Sequence, residues 1–310
     1  MQEVKLLGRE EVAAGTQALR FTWPQGFEFK AGQAVDLVIP VGADPEARHA
    51  FSIASAPQEP ELVFATRMRD SAYKRALGAL PVGAPARIDG PFGSMTLHKD
   101  PKRPAILVAG GIGITPIRSM IRHLRNTSDR PWKLYYLCRD AASTPYADEL
   151  ADPALRGKVL LHHDRGDPAQ SYDLWPVLEK PKGAHLYCCG PKGLMDAVRD
   201  MTGHWSSSAV HFEDFAVRNV ARGEDDKPFV VRFQGESIEV AADESILHAL
   251  RAAGHRIPSS CESGTCGSCR MKLVGGEADH RDLVLTDEER LTNIMVCVSR
   301  ARSPEIAIGT

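Results

Sequence analysis

Four cysteines constrain this chain more than any other feature. Cys261, Cys266 and Cys269 stand in the run CESGTCGSC, a C-x4-C-x2-C pattern, and Cys297 follows in IMVCVSRA. This is the plant-type spacing for a [2Fe–2S] cluster. Two irons sit close together and each needs two thiolates, so a tight loop must wrap them and a distant cysteine must close the cage. The residues between the first three cysteines are small, apart from Glu262, and let backbone approach the sulfurs. A structural zinc site is the plainer alternative, but zinc favours two C-x2-4-C pairs or cysteine–histidine mixtures. The four are therefore expected to be iron ligands.

The other three cysteines, Cys138, Cys188 and Cys189, are scattered, and the total of seven is odd. With 310 residues and a start, MQEVKLLGREEV, that lacks a charged-then-apolar pattern, a disulfide framework is not expected. No apolar run reaches the roughly 20 residues of a membrane span. The expectation is a soluble, cytoplasmic chain. Basic and acidic residues nearly balance, at 38 and 40, which argues against binding nucleic acid through a global basic field.

The length suits two or three domains. Residues 1–102 alternate short strand-like runs (4–7, 18–22, 34–39, 62–68 and 86–88) with Gly and Pro, around one helical stretch at 72–80. That predicts a small antiparallel β-barrel. From residue 103 to 216 the texture changes. Strand-like runs at 105–109, 134–138, 159–162 and 185–189 alternate with helical stretches at 116–124, 145–150 and 193–201. This is the pattern of a doubly wound α/β domain. Residues 217–227, VRNVARGEDDK, are polar and mixed in charge and read as a linker. Residues 228–310 open with a hairpin (229–233 and 237–240) and a helix (245–253) and hold the cysteine loop.

The turn VAGGIGITP follows the strand at 105–109 and opens a helix. Gly110, Gly111 and Gly113 would let a pyrophosphate approach the backbone, and the helix amino end, with Thr115 and Pro116, favours its charge. A plain tight turn is the alternative. At the end of the next strand Asp140 could bond ribose hydroxyls and repel a 2′-phosphate, whereas Arg139 could accept that phosphate.

From residue 159 to the end the chain resembles the phthalate dioxygenase reductase family. The stretches that carry the likeness are HHDRGDP, HLYCCGPKGLMDAVRDMTGHW, VHFEDF, PSSCESGTCGSC, GGEADHRDLVL and IMVCVSRA. The resemblance implies flavin, nicotinamide and ferredoxin (β-grasp) domains in that order. It implies electron flow from NADH to an oxygenase component, expected to be of Rieske type. It also favours NADH over NADPH. A redox-sensing binding module and a reductase for a haem or corrinoid enzyme are the alternatives.

Residues 49–57, HAFSIASAP, resemble the R-x-[YF]-S flavin signature of the wider ferredoxin–NADP reductase superfamily. The likeness puts Phe51 beside the flavin and Ser52 on its isoalloxazine edge. The signature's arginine position is held here by His49, with Arg48 one step away on the other face of a strand. Ser71 and Lys74 in SAYK resemble the family's phosphate-binding loop at a helix start. The plainer reading makes Phe51 a core residue and Lys74 a solvated one. Domain order favours FMN, while SIASAP and the run GPFG at 90–93 resemble FAD-binding relatives. Cys189, Gly190 and Pro191, with Met195, resemble the superfamily motif beside the nicotinamide C4. A buried small hydrophobe is the alternative for Cys189, and it is the reading taken for Cys138 and Cys188. Phe215 in VHFEDF resembles the aromatic that closes over the flavin, with a core phenylalanine as the alternative. His162, His163 and His280 are not expected to be catalytic, because hydride and electron transfer need no acid–base pair. His280 is expected to pack or to cap a loop.

Overall fold

The computed structural model describes all residues except 69–70, 94, 214–225, 243, 259–263, 265–266, 268, 283 and 310, and the side chain at 207. The chain forms two compact units, Met1–Phe212 and Glu213–Thr310.

The first unit begins with a six-stranded sheet. Its strands are β1 (Gln2–Ala13), β2 (Thr16–Thr22), β3 (Ala34–Val41), β4 (Asp44–Ser52), β5 (Glu61–Arg67) and β6 (Pro85–Phe92), in the order β4-β3-β6-β1-β2-β5. All five pairings are antiparallel. Residues of all six strands, alternating in most of them as in Val35, Leu37 and Ile39, or Leu62 and Phe64, with Phe51 alone from β4, enter one shared core. A sheet whose strands all feed one core must wrap around it, which is the barrel expected from the sequence. A bond from Ala54 N to Val63 O (2.7 Å) links the chain just after β4 to β5 at the opposite edge. The helix α1 (Ala72–Ala79) follows β5, capped by Ser71.

Strand β4 was not legible in the sequence. Its residues, DPEARHAFS, are half charged or polar, and its first three are exposed. It is an edge strand paired only to β3, where the missing N–H of Pro45 costs no ladder bond.

The second sheet of this unit runs β11-β10-β7-β8-β9. Its strands are β7 (Ala105–Gly110), β8 (Trp132–Cys138), β9 (Val159–His163), β10 (His185–Cys189) and β11 (Val210–Glu213). The pairs among β10, β7, β8 and β9 are parallel. Every residue of β10 is buried, as befits an inner strand. Helices α2 (Ile114–Thr127), α3 (Ala147–Leu150), α4 (Trp175–Leu178) and α5 (Lys192–Met201) supply the crossovers. The amino end of α2 lies two residues before the start expected at 116, because Gly111–Gly113 form one turn of 3-10 helix that leads directly into it.

Three histidines meet at the starts of these strands. His185, the first residue of β10, stacks on His98 with centroids 4.1 Å apart. Its Nδ1 lies 3.0 Å from Nε2 of His211 on β11. The two rings are within 15° of coplanar and their centroids are 5.3 Å apart, so the bond runs along both ring planes. One imidazole donates and the other accepts, so the accepting ring must be neutral. Burial pushes each down to about 4; His98, Arg103 and Arg130 push His185 the same way against Asp100, and His185 and His98 do so for His211. Tyr187 stacks on His211 and its hydroxyl accepts from His98 N. The unfolded chain takes up protons near pH 6.5 and the folded chain only near 4, so stability falls as pH drops through that window. Thermal midpoints taken from pH 7.5 to 4 should show this loss, and His211→Phe should flatten it. An equal slope in both proteins would remove the pair from the acid response.

The second unit contains the sheet β13-β12-β18-β14-β16. Its strands are β12 (Phe229–Phe233), β13 (Glu236–Val240), β14 (Arg270–Gly275), β16 (Asn293–Met295) and β18 (Glu305–Gly309). A small ladder joins β15 (Ala278–Asp279) to β17 (Arg300–Ala301). β12 is parallel to β18 and antiparallel to β13, while β14 is antiparallel to both of its neighbours. The helix Ile246–Ala252, with Ser245 as its cap, buries Ile246, Leu247, Ala249 and Leu250 in the same core as the sheet. A mixed sheet grasping one helix is the β-grasp arrangement. Residues 217–225 of the expected linker lie outside the described residues. Its last two residues are tied to this unit: Asp226 accepts from Arg281 and pairs with Arg300, and Lys227 O accepts from Arg300.

Candidate functional site

The carboxyl end of β4 carries the flavin motif. His49 and Phe51 share a face, two residues apart, and their rings meet edge-on at 5.0 Å. Tyr73 of α1 stands against His49 at 5.3 Å and donates from its hydroxyl to Leu37 O. Arg48, on the opposite face, pairs with Asp89 at 2.9 Å. The one-residue step from the signature's arginine therefore sends this charge to Asp89, as strand parity requires. Phe51 and Ser52 are 5% and 4% exposed.

Lys74 is buried, not solvated. Its Nζ donates to Thr66 Oγ1 at 2.6 Å and lies 4.3 Å over the Phe51 ring, while its amide donates to Ser71 Oγ. The amino end of α1, a buried ammonium and the signature aromatic thus meet at one place. That combination suits an anion beside a planar ring system. Thr66 and Tyr73 were not singled out from the sequence. Thr66 sits in an apolar strand, and only the placement of α1 against the barrel shows that it receives Lys74.

The nicotinamide turn is built on contact between two βα turns. A Cβ on Gly113 would lie 2.2 Å from Cys189 O, and one on Gly110 would lie 2.6 Å from Pro191 Cδ. Gly190 faces Gly110 in the same way, with its amide at 2.9 Å. These three glycines are thus spoken for by chain-to-chain approach. Gly111, with φ +52° and open space around its Cβ position, is the one whose surroundings leave room for a ligand. Thr115 Oγ1 donates to Ile112 O, and Thr115 and Pro116 are buried under the turn. Cys189 is fully buried at the end of β10, and Met195 packs in the core of the parallel sheet. Cys188 is buried as expected, and burial pushes its thiol up to about 12. Cys138 is buried too.

Asp140, past the end of β8, is exposed. Its Oδ1 accepts from Ser143 N at 2.8 Å, which holds the carboxyl below its usual range. It is therefore ionised and oriented at neutral pH. Asp140→Ser should raise the NADPH to NADH ratio of specificity constants several-fold, because the carboxylate that repels a 2′-phosphate is removed. Equal ratios in parent and variant would take Asp140 out of cofactor choice.

The flavin and nicotinamide motifs are joined directly. Arg118 of α2 donates from Nη1 to Ala54 O at 2.8 Å, and Ser119 Oγ donates to Ser55 O at 2.6 Å. Neither residue carries a sequence signal beyond its place in a helix. Phe215 lies outside the described residues.

In the second unit, Cys269 and Cys297 are 2% and 5% exposed. Val296 N donates to Cys269 O at 3.3 Å, so the two cysteines sit on adjoining segments. Gly264 has φ +70°, and a Cβ there would lie 2.7 Å from Val298 Cγ2 and 3.2 Å from Asp282 Cα. Only glycine allows this turn. Asp282, itself buried, accepts from the amides of Val284 and Leu285. The loop cap in this motif is therefore Asp282, while His280 packs beside it at 3.8 Å. Cys261 and Cys266 lie outside the described residues. Two buried thiols beside a glycine-bound loop fit a thiolate-held cluster.

Comparisons with known proteins identify the family. Residues 107–200 match the model for an oxidoreductase NAD-binding domain, and residues 230–302 match that for a 2Fe-2S iron-sulfur cluster binding domain. The chain is 44% identical to a phthalate dioxygenase reductase of Burkholderia cepacia, over 98% of this chain and 96% of that one. The chain belongs to the phthalate dioxygenase reductase family. It is also 41% identical to a phthalate 4,5-dioxygenase oxygenase reductase subunit of Pseudomonas putida, over 98% of this chain and 95% of the other. A solved structure titled as a phthalate dioxygenase reductase, modular for electron transfer from pyridine nucleotides to [2Fe-2S], superposes with a TM-score of 0.73 at 41% identity. The superposition covers 99% of this chain and 97% of that one. These matches span nearly the whole chain, well beyond the stretch from residue 159 to the end that carries the motif likeness. No helix among the described residues is long and apolar enough to cross a membrane.

Proposed function

We propose that this chain is the reductase of an oxygenase system, taking electrons from NADH and delivering them one at a time through its ferredoxin unit. The observation that carries the reading is the direct hydrogen bonding of the flavin motif to the helix of the nicotinamide turn, within one compact unit. When bound, flavin converts a two-electron hydride donor into single electrons that a [2Fe–2S] cluster can accept, chemistry that no side chain supplies.

The residues have separate tasks. Gly111 and the amino end of α2 receive the pyrophosphate, and Asp140 receives the ribose. Cys189, Gly190 and Pro191 bound the nicotinamide pocket, with Met195 supporting it from the core. Ser52 bonds the isoalloxazine edge, and Phe51 and His49 form the wall beside it. Lys74, with the amino end of α1, holds the flavin phosphate. That buried charge suits the terminal phosphate of FMN, which is the flavin proposed here. Cys261, Cys266, Cys269 and Cys297 hold the cluster. The partner is a terminal oxygenase of Rieske type, by analogy with the dioxygenase systems named for the relatives. A cytoplasmic location fits the buried thiols at Cys138 and Cys188, which carry no disulfide.

Steady NADH oxidation with cytochrome c as acceptor tests the reading. Sustained turnover is expected. Negligible turnover by flavin- and cluster-loaded protein would instead mark a redox-sensing module. The mass of the flavin released on denaturation decides between FMN and FAD.

A further inference from the structure

The segment Ile53–Ser55 is bonded on both sides. Ile53 N donates to Gln33 O at 2.9 Å and Ala54 N to Val63 O at 2.7 Å, which fasten it to the barrel. Val63 N donates to Ser55 Oγ at 3.0 Å. Its carbonyls point the other way. Ala54 O receives Arg118 and Ser55 O receives Ser119, which fasten it to α2. Ser52 of the flavin motif is two residues before the first of these carbonyls. Thr115 of the nicotinamide turn is three residues before Arg118, about 4.5 Å along the helix axis.

Arg118 has no room to adjust. It is 8% exposed, and Ser119 is fully buried. Its guanidinium lies 4.4 Å over the Tyr146 ring, and its Nε and Nη2 both reach Glu149 Oε2, at 2.8 and 2.7 Å. Glu149 is held in turn by Arg122 through its other oxygen at 3.0 Å. The strut between the two motifs is thus a buried, charge-assisted network with a fixed fork at its centre.

We infer that Arg118 and Ser119 are positioning residues for hydride transfer, setting the distance and angle between nicotinamide and flavin. The inference rests on the cofactor placement proposed above. In the step, the C4–H bond of NADH breaks and an N5–H bond of the flavin forms. Two electrons move with the hydride, leaving NAD⁺ and a flavin reduced by two electrons. Neither residue touches the reacting atoms; each acts through the backbone that carries the flavin motif. Transfer rates fall steeply with misplacement, by up to about a hundredfold for a shift of ~1 Å.

The test uses full-length Arg118→Gln and Ser119→Ala loaded with flavin and cluster, mixed anaerobically with NADH. Flavin reduction at saturating NADH should slow by roughly tenfold to a hundredfold, and the long-wavelength charge-transfer absorbance should fall with it. The NADH concentration at half-maximal rate, the flavin content and reduction by dithionite should stay as in the parent. Arg118→Lys, which keeps the charge but loses the fork, should recover part of the rate. Parent-like rate and charge-transfer absorbance in either flavin-loaded variant would overturn the inference. So would loss of flavin from Ser119→Ala, which would make the contact a stability element of the barrel. If Arg118→Gln fails to fold, Ser119→Ala, which removes one oxygen atom, decides alone. Failure of the parent protein itself to take hydride from NADH would refute the proposed function instead, and would be seen before any variant is compared.

Discussion

Cys297→Ser is expected to abolish cytochrome c reduction while leaving NADH–ferricyanide activity largely intact. Cys297 is buried in the core of the second unit, next to Val296, whose amide bonds Cys269 O. A serine hydroxyl there is a poor iron ligand at neutral pH, because it stays protonated where a cysteine gives a thiolate. The flavin and nicotinamide motifs lie in the other compact unit, so hydride transfer from NADH and re-oxidation by two ferricyanides, each taking one electron, do not need the cluster. The visible and EPR signals of the cluster should vanish together with cytochrome c reduction, and the flavin spectrum should remain. Unchanged cluster signals would show that Cys297 is not a required ligand. Because Cys269 and Cys297 are buried in the core of the second unit, that unit should also melt at lower temperature in the variant.

Lys74→Met should weaken FMN binding by roughly ten- to a hundredfold, the equivalent of losing one charge-assisted contact worth ~1.5–3 kcal/mol. Methionine keeps the apolar stem that packs between Phe51 and Thr66 but removes the ammonium. On the proposed placement the flavin phosphate draws on positive charge near α1, because the arginine of the signature is not available to provide it. His49 stands in its position, and Arg48 is turned to Asp89. Titration of flavin-free protein with FMN and with riboflavin separates the causes. A loss confined to FMN places the phosphate at Lys74. An equal loss for both flavins would mean that the substitution disturbs the ring pocket, and no loss would move the phosphate elsewhere. His49→Arg should tighten FMN binding or leave it unchanged.

The β4 strand and the two-sided strut show where sequence reasoning ends. Hydrophobic alternation found β3 and β5, whose inward residues are Val, Leu, Ile and Phe. It missed β4, because an edge strand needs apolar residues only near its inner end, and here only Phe51 and Ser52 are fully buried. Strand β14, with its burial alternating from Arg270 to Gly275, was hidden by two lysine or arginine residues on its outer face and by the cysteine loop before it. The last strand, Glu305–Gly309, is short and was passed over, yet it is the centre of the second sheet.

By itself, the sequence determined whatever depends on neighbours along the chain. Cysteine spacing limits which metal centre a loop can wrap. Strand–turn–helix order with glycines specifies a phosphate-binding turn. Serine three residues before a helical amide caps it, as Ser71 and Ser245 both do. Only the tertiary structure decided what depends on residues far apart in sequence. Gly110 and Gly113 look like ligand contacts, yet they are small because Cys189 and Pro191 press against them from a strand some 80 positions away, a distance that no local pattern records. Lys74 looks like a surface charge, and its burial over Phe51 comes from the packing of α1 against the barrel. Arg118 and Ser119 look like an ordinary helix, and their role follows from which backbone carbonyls the barrel presents to them. Local signals report chemistry that one segment can do alone, and a bond between two segments leaves its mark on neither.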